Sequence, residues 1–271
     1  HTKKGAKMIN ILFGGNYKVY DGILLTIMSM VKHCKEPLNI IILTADLTEY
    51  NSEYKPITDI DIQNLNEIVK NVNPESKVSS ILLGKEFNDW AMNSENKLNQ
   101  YTPFAFLRLF ADTIDLPEKI IYLDSDIMLN GNIKELFDID MTNYELGVVK
   151  DRYGSYFIYP NYFNSGVLLM NMKNIKESNL LERVRKICFS KKMGFPDQSA
   201  LNKCCKRKLY LPRKFNEQGN PRKDTIIQHF SKRIVWLPFH TINIKQYHID
   251  KVHKKYKIFI FYKFYVAAVA I

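Results

Sequence analysis

Four short, mostly apolar runs, each followed by a turn or an amphipathic stretch, limit what this chain can become. They lie at residues 9–13, 38–44, 78–83 and 120–123, the length of strands and far below the roughly 20 apolar residues that span a bilayer. Between them, residues 22–33 repeat Ile23, Ile27, Met30 and Val31 at helical spacing, and residues 59–72 set Ile60, Leu65, Ile68 and Val69 on or near one face. Strand and helix in alternation predict a mostly parallel, Rossmann-like α/β sheet with helices on both faces. Further along, residues 104–112 read as a helical run around the lone cation Arg108. Residues 145–149 and 166–170 read as strands separated by an aromatic loop, 153–160. Residues 174–191 read as one basic amphipathic helix, residues 197–198 as the start of another helix, and 225–230 as a strand that carries His229.

At 271 residues and 46% hydrophobic content, the chain can bury the core of one large domain. We expect that domain over residues 8–246, with residues 1–7 (HTKKGAK) as a tag remnant and 247–271 as a basic aromatic tail. The net charge of +11 is lopsided: residues 203–263 hold 16 Lys/Arg against 3 Asp/Glu, and residues 1–202 hold 23 against 25. Such a bias suits an anionic partner, and solvated lysines explain it equally well. In the tail, Lys251, Lys254, Lys255, Lys257 and Lys263 stand among aromatic residues, a mixture suited to peripheral contact with an anionic membrane. The four cysteines show no C-x-x-C spacing, so reduced thiols and a cytoplasmic setting, peripheral at the membrane at most, are expected.

The candidate chemistry starts at residues 119–127, KIIYLDSDI. A buried strand running into Asp124-Ser125-Asp126 delivers two carboxylates to its C-terminal end, where open α/β sheets bind ligands and where paired acids can hold a divalent cation on a phosphate ester. Asp-x-Asp also occurs at Asp59/Asp61 and Asp138/Asp140. Neither follows a strand, and both read as solvated acids, the first at a helix N-terminus. Gly14, Gly15 and Asn16 form a turn after the first strand that would let a nucleotide approach the backbone. Arg108 either pairs with Asp112 four residues on or faces phosphate or sugar oxygens.

Six stretches in order, ILFGGN, FLRL, YLDSD, YFNSGVLLMN, FPDQSALN and QHF, resemble the retaining glycosyltransferases of family 8 over about residues 9–253. The resemblance implies a GT-A fold and a hexosyl transfer from a UDP-sugar, glucose or galactose, to a glycan, lipid-linked or protein-linked acceptor. It implies Asp124, Asp126 and His229 as ligands of Mn²⁺, with Mg²⁺ as the alternative. The donor would meet Gly14, Asn16, Arg108, Ser125 and Asn164, and the sugar would meet Asn164, Asp197 and Gln198 near the reacting bond. Asn16 stands where the family commonly has an acid. The family's ending is altered too: Lys232 and Val235 stand at its glycine and lysine positions, and residues 245–247 read as a displaced Lys-Pro-Trp piece. The diphosphate cation is thus one of Lys232, Arg233 and Lys245. The rival readings are a nucleotidyltransferase on a related sheet and a basic nucleic-acid surface; no recognised motif supports the latter, so no nucleic-acid partner is expected.

Overall fold

The computed structural model describes residues 8–97, 102–231, 233–236 and 239–256. The chain opens as expected: β1 (Ile9–Gly14), α1 (Tyr20–His33), β2 (Leu38–Ala45), α2 (Asp59–Val72), β3 (Lys77–Leu83) and α3 (Lys85–Asn93). A 3₁₀ helix, Pro103–Thr113, leads into β4 (Lys119–Leu123), β5 (Ile127–Leu129) and the one-turn α4 (Lys134–Phe137). Next come β6 (Leu146–Lys150), α5 (Gly154–Phe157), β7 (Phe163–Asn171), α6 (Met172–Glu177), α7 (Leu180–Ser190) and α8 (Pro196–Cys204). The last elements are β8 (Lys208–Tyr210), β9 (Ile227–His229), a hairpin of β10 (Arg233–Trp236) with β11 (Phe239–Ile242), and α9 (Ile249–Tyr256).

Seven strands form the main sheet in the order β3-β2-β1-β4-β7-β6-β8. The β3-β2-β1-β4 half is parallel throughout, whereas β7 runs antiparallel to both β4 and β6. Both faces are covered, which explains why the central strands β2, β4 and β7 are buried without alternation. Ile11, Ile40, Ile121 and Leu169 pack toward α1 and α2; their neighbours Leu12, Ile41, Ile120 and Leu168 pack toward the 3₁₀ helix, α7 and α8. Each such side chain, fully buried, contributes about 1.5–3 kcal/mol.

Three sequence expectations change. Residues 174–191 are two helices, because Asn179 adopts a left-handed φ of 51° that asparagine tolerates and a helix cannot continue through. The polar residues ahead of the 3₁₀ helix include α3, whose buried Phe87 and Ala91 are too few to mark its periodicity. The run around Arg108 is 3₁₀, so residues three apart share a row and the fourth points about 120° away. Asp112 is therefore turned from Arg108 and pairs instead with Arg185 of α7.

The other two Asp-x-Asp copies serve local structure. Asp61 completes a capping box with Thr58 at the start of α2, while Asp138 pairs with Lys134 and Asp140 accepts from Thr142. All four cysteines are free and buried, and burial pushes the Cys34 thiol up to about 12. Among the described residues no helix is long and apolar enough to cross a membrane. In the tail, Val252 of α9 is buried with Met128, Phe230 and Ile244; residues 257–271 lie outside the described residues.

One close approach seats the Asp-Ser-Asp turn on α1. A Cβ added at Gly22 would stand 2.3 Å from the Ser125 carbonyl oxygen, which also accepts from Gln246 Nε2 at 2.6 Å. Gly22→Ala should therefore destabilise by roughly 1–3 kcal/mol through overpacking, whereas Gly84→Ala, with open space around its Cβ, should not. Thermal melts of the two variants check this; equal melting temperatures would contradict the packing.

Candidate active site

The two carboxylates sit where the parallel half of the sheet meets its antiparallel half. Asp124 directly follows β4, and its backbone N–H donates to Gly166 O of β7 at 2.8 Å. Asp126 leads into β5, which pairs with β9 so that Ile127 faces His229. His229 Nε2 lies 3.2 Å from Asp126 Oδ1 and 3.9 Å from Asp124 Oδ2. One ligand atom from each of the three side chains can be chosen so that all lie within 4.8 Å of one another. Gly166 leaves room for them: a Cβ there would come within 2.3 Å of His229 Cε1 and 2.7 Å of Asp124 Oδ2. The three thus form a cradle fit for a divalent ion, with two hard oxygens and one imidazole nitrogen as its donor set.

Arg108, only 6% exposed, holds this cradle from behind. Its Nη1 donates to Asp124 Oδ1 at 3.1 Å and to Ser165 O at 2.6 Å, and its Nη2 pairs with Asp197 Oδ2 at 2.7 Å. Arg108 Nε donates to Ala105 O one 3₁₀ turn back at 3.3 Å, and its guanidinium lies over the Tyr122 ring, 4.5 Å from its centroid. Tyr122 in turn donates its hydroxyl to Asp124 Oδ1 at 2.8 Å. Burial works against the charge on Arg108, yet Tyr122, Asp124 and Asp197 outweigh it and raise its pKa. Burial likewise opposes ionisation of Asp126, but Lys245 and His229 prevail and hold its carboxyl well below the usual range.

The predicted residues Arg108, Asp124, Asp126, Asn164, Asp197, Gln198, His229 and Lys245 converge here. Of the three candidate cations, Lys245 bonds Asp126 through its ammonium. Lys232 lies outside the described residues, and Arg233 is described only as the first residue of β10. The glycine turn is closer to the protein than to open space: a Cβ at Gly14 would meet Leu107 at 3.3 Å, and Asn16 is buried with its carbonyl accepting from Val19 N–H. The Ser125 backbone carbonyl accepts from Gln246 Nε2, which anchors the turn between the two aspartates.

Sequence reading missed Asp151 and Asn216. A register shift in β6 between Val148 and Val149 brings Val149 opposite Asn164 and carries Asp151 alongside it. Asp151 Oδ2 accepts from Asn164 Nδ2 at 3.0 Å and Gln198 Nε2 at 3.3 Å, while Oδ1 accepts from the N–H groups of Tyr153 and Gly154. Its place just past a predicted strand was the one signal that could have found it. Asn216, in a loop, carried no such signal.

With this geometry in hand, comparison with known proteins is decisive. The family model described as glycosyl transferase family 8 matches residues 10–245. The chain belongs to that family. Among its relatives, a putative glycosyltransferase of Haemophilus influenzae is 23% identical over 243 residues, 78% of this chain and 64% of its own length. The lipopolysaccharide 1,2-glucosyltransferase of Escherichia coli is 31% identical over 147 residues, 48% of this chain and 42% of its own. The chain thus spans less than two thirds of each. In structure, glycosyltransferase GlyE of Streptococcus pneumoniae superposes with a TM-score of 0.66 at 19% identity, covering 92% of this chain and 61% of GlyE. The galactosyltransferase LgtC, solved with donor and acceptor sugar analogs, gives 0.62 at 17% identity, covering 82% and 86%. These likenesses bear out the GT-A fold.

Within this family 8 site, a relay of hydrogen bonds sets the His229 tautomer. Gly166 N–H can only donate, so the Asn164 atom it meets at 2.9 Å is the carbonyl oxygen; the Asp151 carboxylate can only accept, so the other end is the amide nitrogen. Asn216 Nδ2 donates to that same Asn164 oxygen at 3.0 Å, which turns Asn216 Oδ1 toward His229 Nδ1, also at 3.0 Å. Nδ1 therefore carries a proton, which leaves Nε2 as the ring nitrogen that would ligate an ion held between the two carboxylates. Nitrogen-15 spectra of the metal-free protein at alkaline pH should show His229 protonated at Nδ1, and Asn216→Ala should shift it toward the other tautomer. An Nε2-protonated ring in the unsubstituted protein would contradict the relay.

Proposed function

We propose that this family 8 chain transfers a glucosyl or galactosyl group from UDP to a hydroxyl of a carbohydrate or glycoconjugate acceptor, with retention at the anomeric carbon. The observation that carries this is the convergence of Asp124, Asp126 and His229 on one point, with Asn164, Asp197 and Gln198 held beside it. Those three ligands would hold Mn²⁺, because an imidazole added to hard oxygens favours a transition ion over Mg²⁺. The ion, when bound, supplies charge that offsets the negative charge on the departing diphosphate. Two named relatives, a glucosyltransferase and a galactosyltransferase, support both hexoses as donors.

The chain's own residues take the remaining roles. Arg108 fixes the angle between Asp124 and Asp197, and Lys245, whose ammonium is already at the cluster, is the cation assigned to the diphosphate. Gln198 Oε1 accepts from Ser165 N–H at 3.1 Å and from Asn164 Nδ2 at 3.2 Å, which fixes the amide where the sugar would lie. As a nucleophile an amide is poor, and Asp151 beside it already accepts four hydrogen bonds, so its lone pairs are engaged. Retention is then best served by front-face attack, the acceptor hydroxyl approaching on the side from which UDP leaves. Asp124 and Asp126 are two residues apart on one turn, which does not suit a hydrolase that needs carboxylates on opposite sides of the bond. The exposed Lys251 and Lys254 of α9, opposite buried Val252, support peripheral attachment to anionic lipid; binding to such vesicles that is lost in high salt tests this, and salt-independent binding opposes it.

A hydrolysis screen of UDP-glucose and UDP-galactose with Mn²⁺ tests the main reading. Asp124→Ala and Asp126→Ala should lose metal-dependent turnover while keeping a cooperative melt at a lowered temperature, because each leaves a cation without one of its partners, and His229→Ala should weaken metal affinity less, since water can replace one neutral ligand. Gln198→Ala should slow turnover with UDP affinity near normal. Full activity in either aspartate variant contradicts the metal assignment, and release of pyrophosphate in place of sugar would favour the nucleotidyltransferase.

A further inference from the structure

Asp151 also forms part of the wall of a cleft of about 830 Å³ that opens beside Asn216 and the sugar-side residues. Three cations, Lys150, Arg152 and Arg213, line it, and Asp151 is the acid among its lining residues. That acid is committed, both oxygens accepting from Asn164, Gln198, Tyr153 and Gly154. Arg213 is also satisfied, since its Nε donates to buried Glu217 at 3.0 Å and its Nη2 pairs with the same oxygen.

Lys150 and Arg152 stand outside that pair, with Arg152 Nη1 lying near Gly219, where an added Cβ would meet it at 2.6 Å. Neither has an ion-pair partner among the described residues, whereas Arg108, Arg185, Arg213 and Arg222 each do. Both lie against aromatic rings, the Lys150 ammonium 5.6 Å from the Tyr210 centroid and the Arg152 guanidinium carbon 5.5 Å from that of Tyr153. Unpaired cations on a convex surface are simply hydrated. These two face a concavity, next to the groups assigned to the transferred sugar, and α5 adds Tyr156, 84% exposed, on the same wall. Aromatic faces accept the C–H face of a sugar ring, and a guanidinium matches a carboxylate or phosphate with two parallel hydrogen bonds.

We propose that this cleft takes an acidic acceptor, a sugar bearing a carboxylate or a phosphate that reaches Lys150 and Arg152 while its ring stacks on the aromatic wall. The proposal rests on the transferase reading above, because the acceptor must lie beside the transferred sugar. It narrows the acceptor from carbohydrate in general to the anionic class.

Equilibrium binding tests it apart from turnover. Methyl glucuronide, glucose 6-phosphate and methyl glucoside are titrated by ligand-observed NMR into the full chain, with UDP and Mn²⁺ present to occupy the donor side. At least one acidic probe should bind about tenfold or more tightly than the neutral glucoside, as a charge-assisted bond predicts, and which one does so separates carboxylate from phosphate. In the double variant Lys150→Gln/Arg152→Gln, with an unchanged melting temperature, the preference should fall to within about threefold; Lys150→Arg should retain it. Equal binding of all three probes overturns the proposal, as does a preference that survives the double substitution. Hydrolysis of UDP-hexose by the unsubstituted protein is measured alongside: its absence defeats the donor reading, while the probe preference still decides whether the cleft is anionic-selective.

Discussion

The site depends on one buried guanidinium. Arg108 ties the end of β4 to the start of α8 by bonding Asp124 and Asp197 at once, and it fastens both to β7 through the Ser165 carbonyl. An uncompensated charge at 6% exposure would be very costly, and removing one partner from such a buried pair typically costs about 3–5 kcal/mol. The cost works in both directions: the carboxylates keep Arg108 charged, and Arg108 keeps them aimed. Two acids that would repel each other in isolation are thereby held near a third charged neighbour, Asp126, which Lys245 offsets from the other side. The cradle for a divalent ion is a consequence of this balance as much as of the Asp-Ser-Asp sequence.

Packing decides where the balance can be struck. Side chains are excluded at two glycines, Gly22 beneath the Ser125 carbonyl and Gly166 beneath Asp124 and His229. The sheet changes from parallel to antiparallel between β4 and β7, so the end of β4 and the beginning of β7 lie at the same edge. That reversal brings Asn164 and Ser165 to the carboxylates, and the register shift in β6 brings Asp151 to Asn164.

Local features were legible in the sequence. The strands at 9–13 and 120–123 and the helix at 59–72 were readable because their burial is periodic or continuous, and the Asp124/Asp126/His229 set because short motifs mark it. What escaped is non-local. Nothing near Asp112 says that its partner is Arg185, 73 residues later, and nothing near Asn216 says that it faces His229. The 3₁₀ run was read as an ordinary helical run because apolar residues fill every side of it, leaving no period to distinguish three residues per turn from 3.6. The break at Asn179 was hidden because the apolar pattern continues across it.

The central claim is that His229, in the tautomer set by Asn216, joins the two aspartates around one divalent ion. Pulsed electron paramagnetic resonance of Mn²⁺ bound with UDP reads this directly, since a coordinated imidazole imprints a nitrogen coupling on the manganese signal. The coupling should be present in the unsubstituted protein and vanish in His229→Ala while UDP and some Mn²⁺ still bind. A bound Mn²⁺ with no nitrogen coupling, or one whose coupling persists in His229→Ala, would contradict the account.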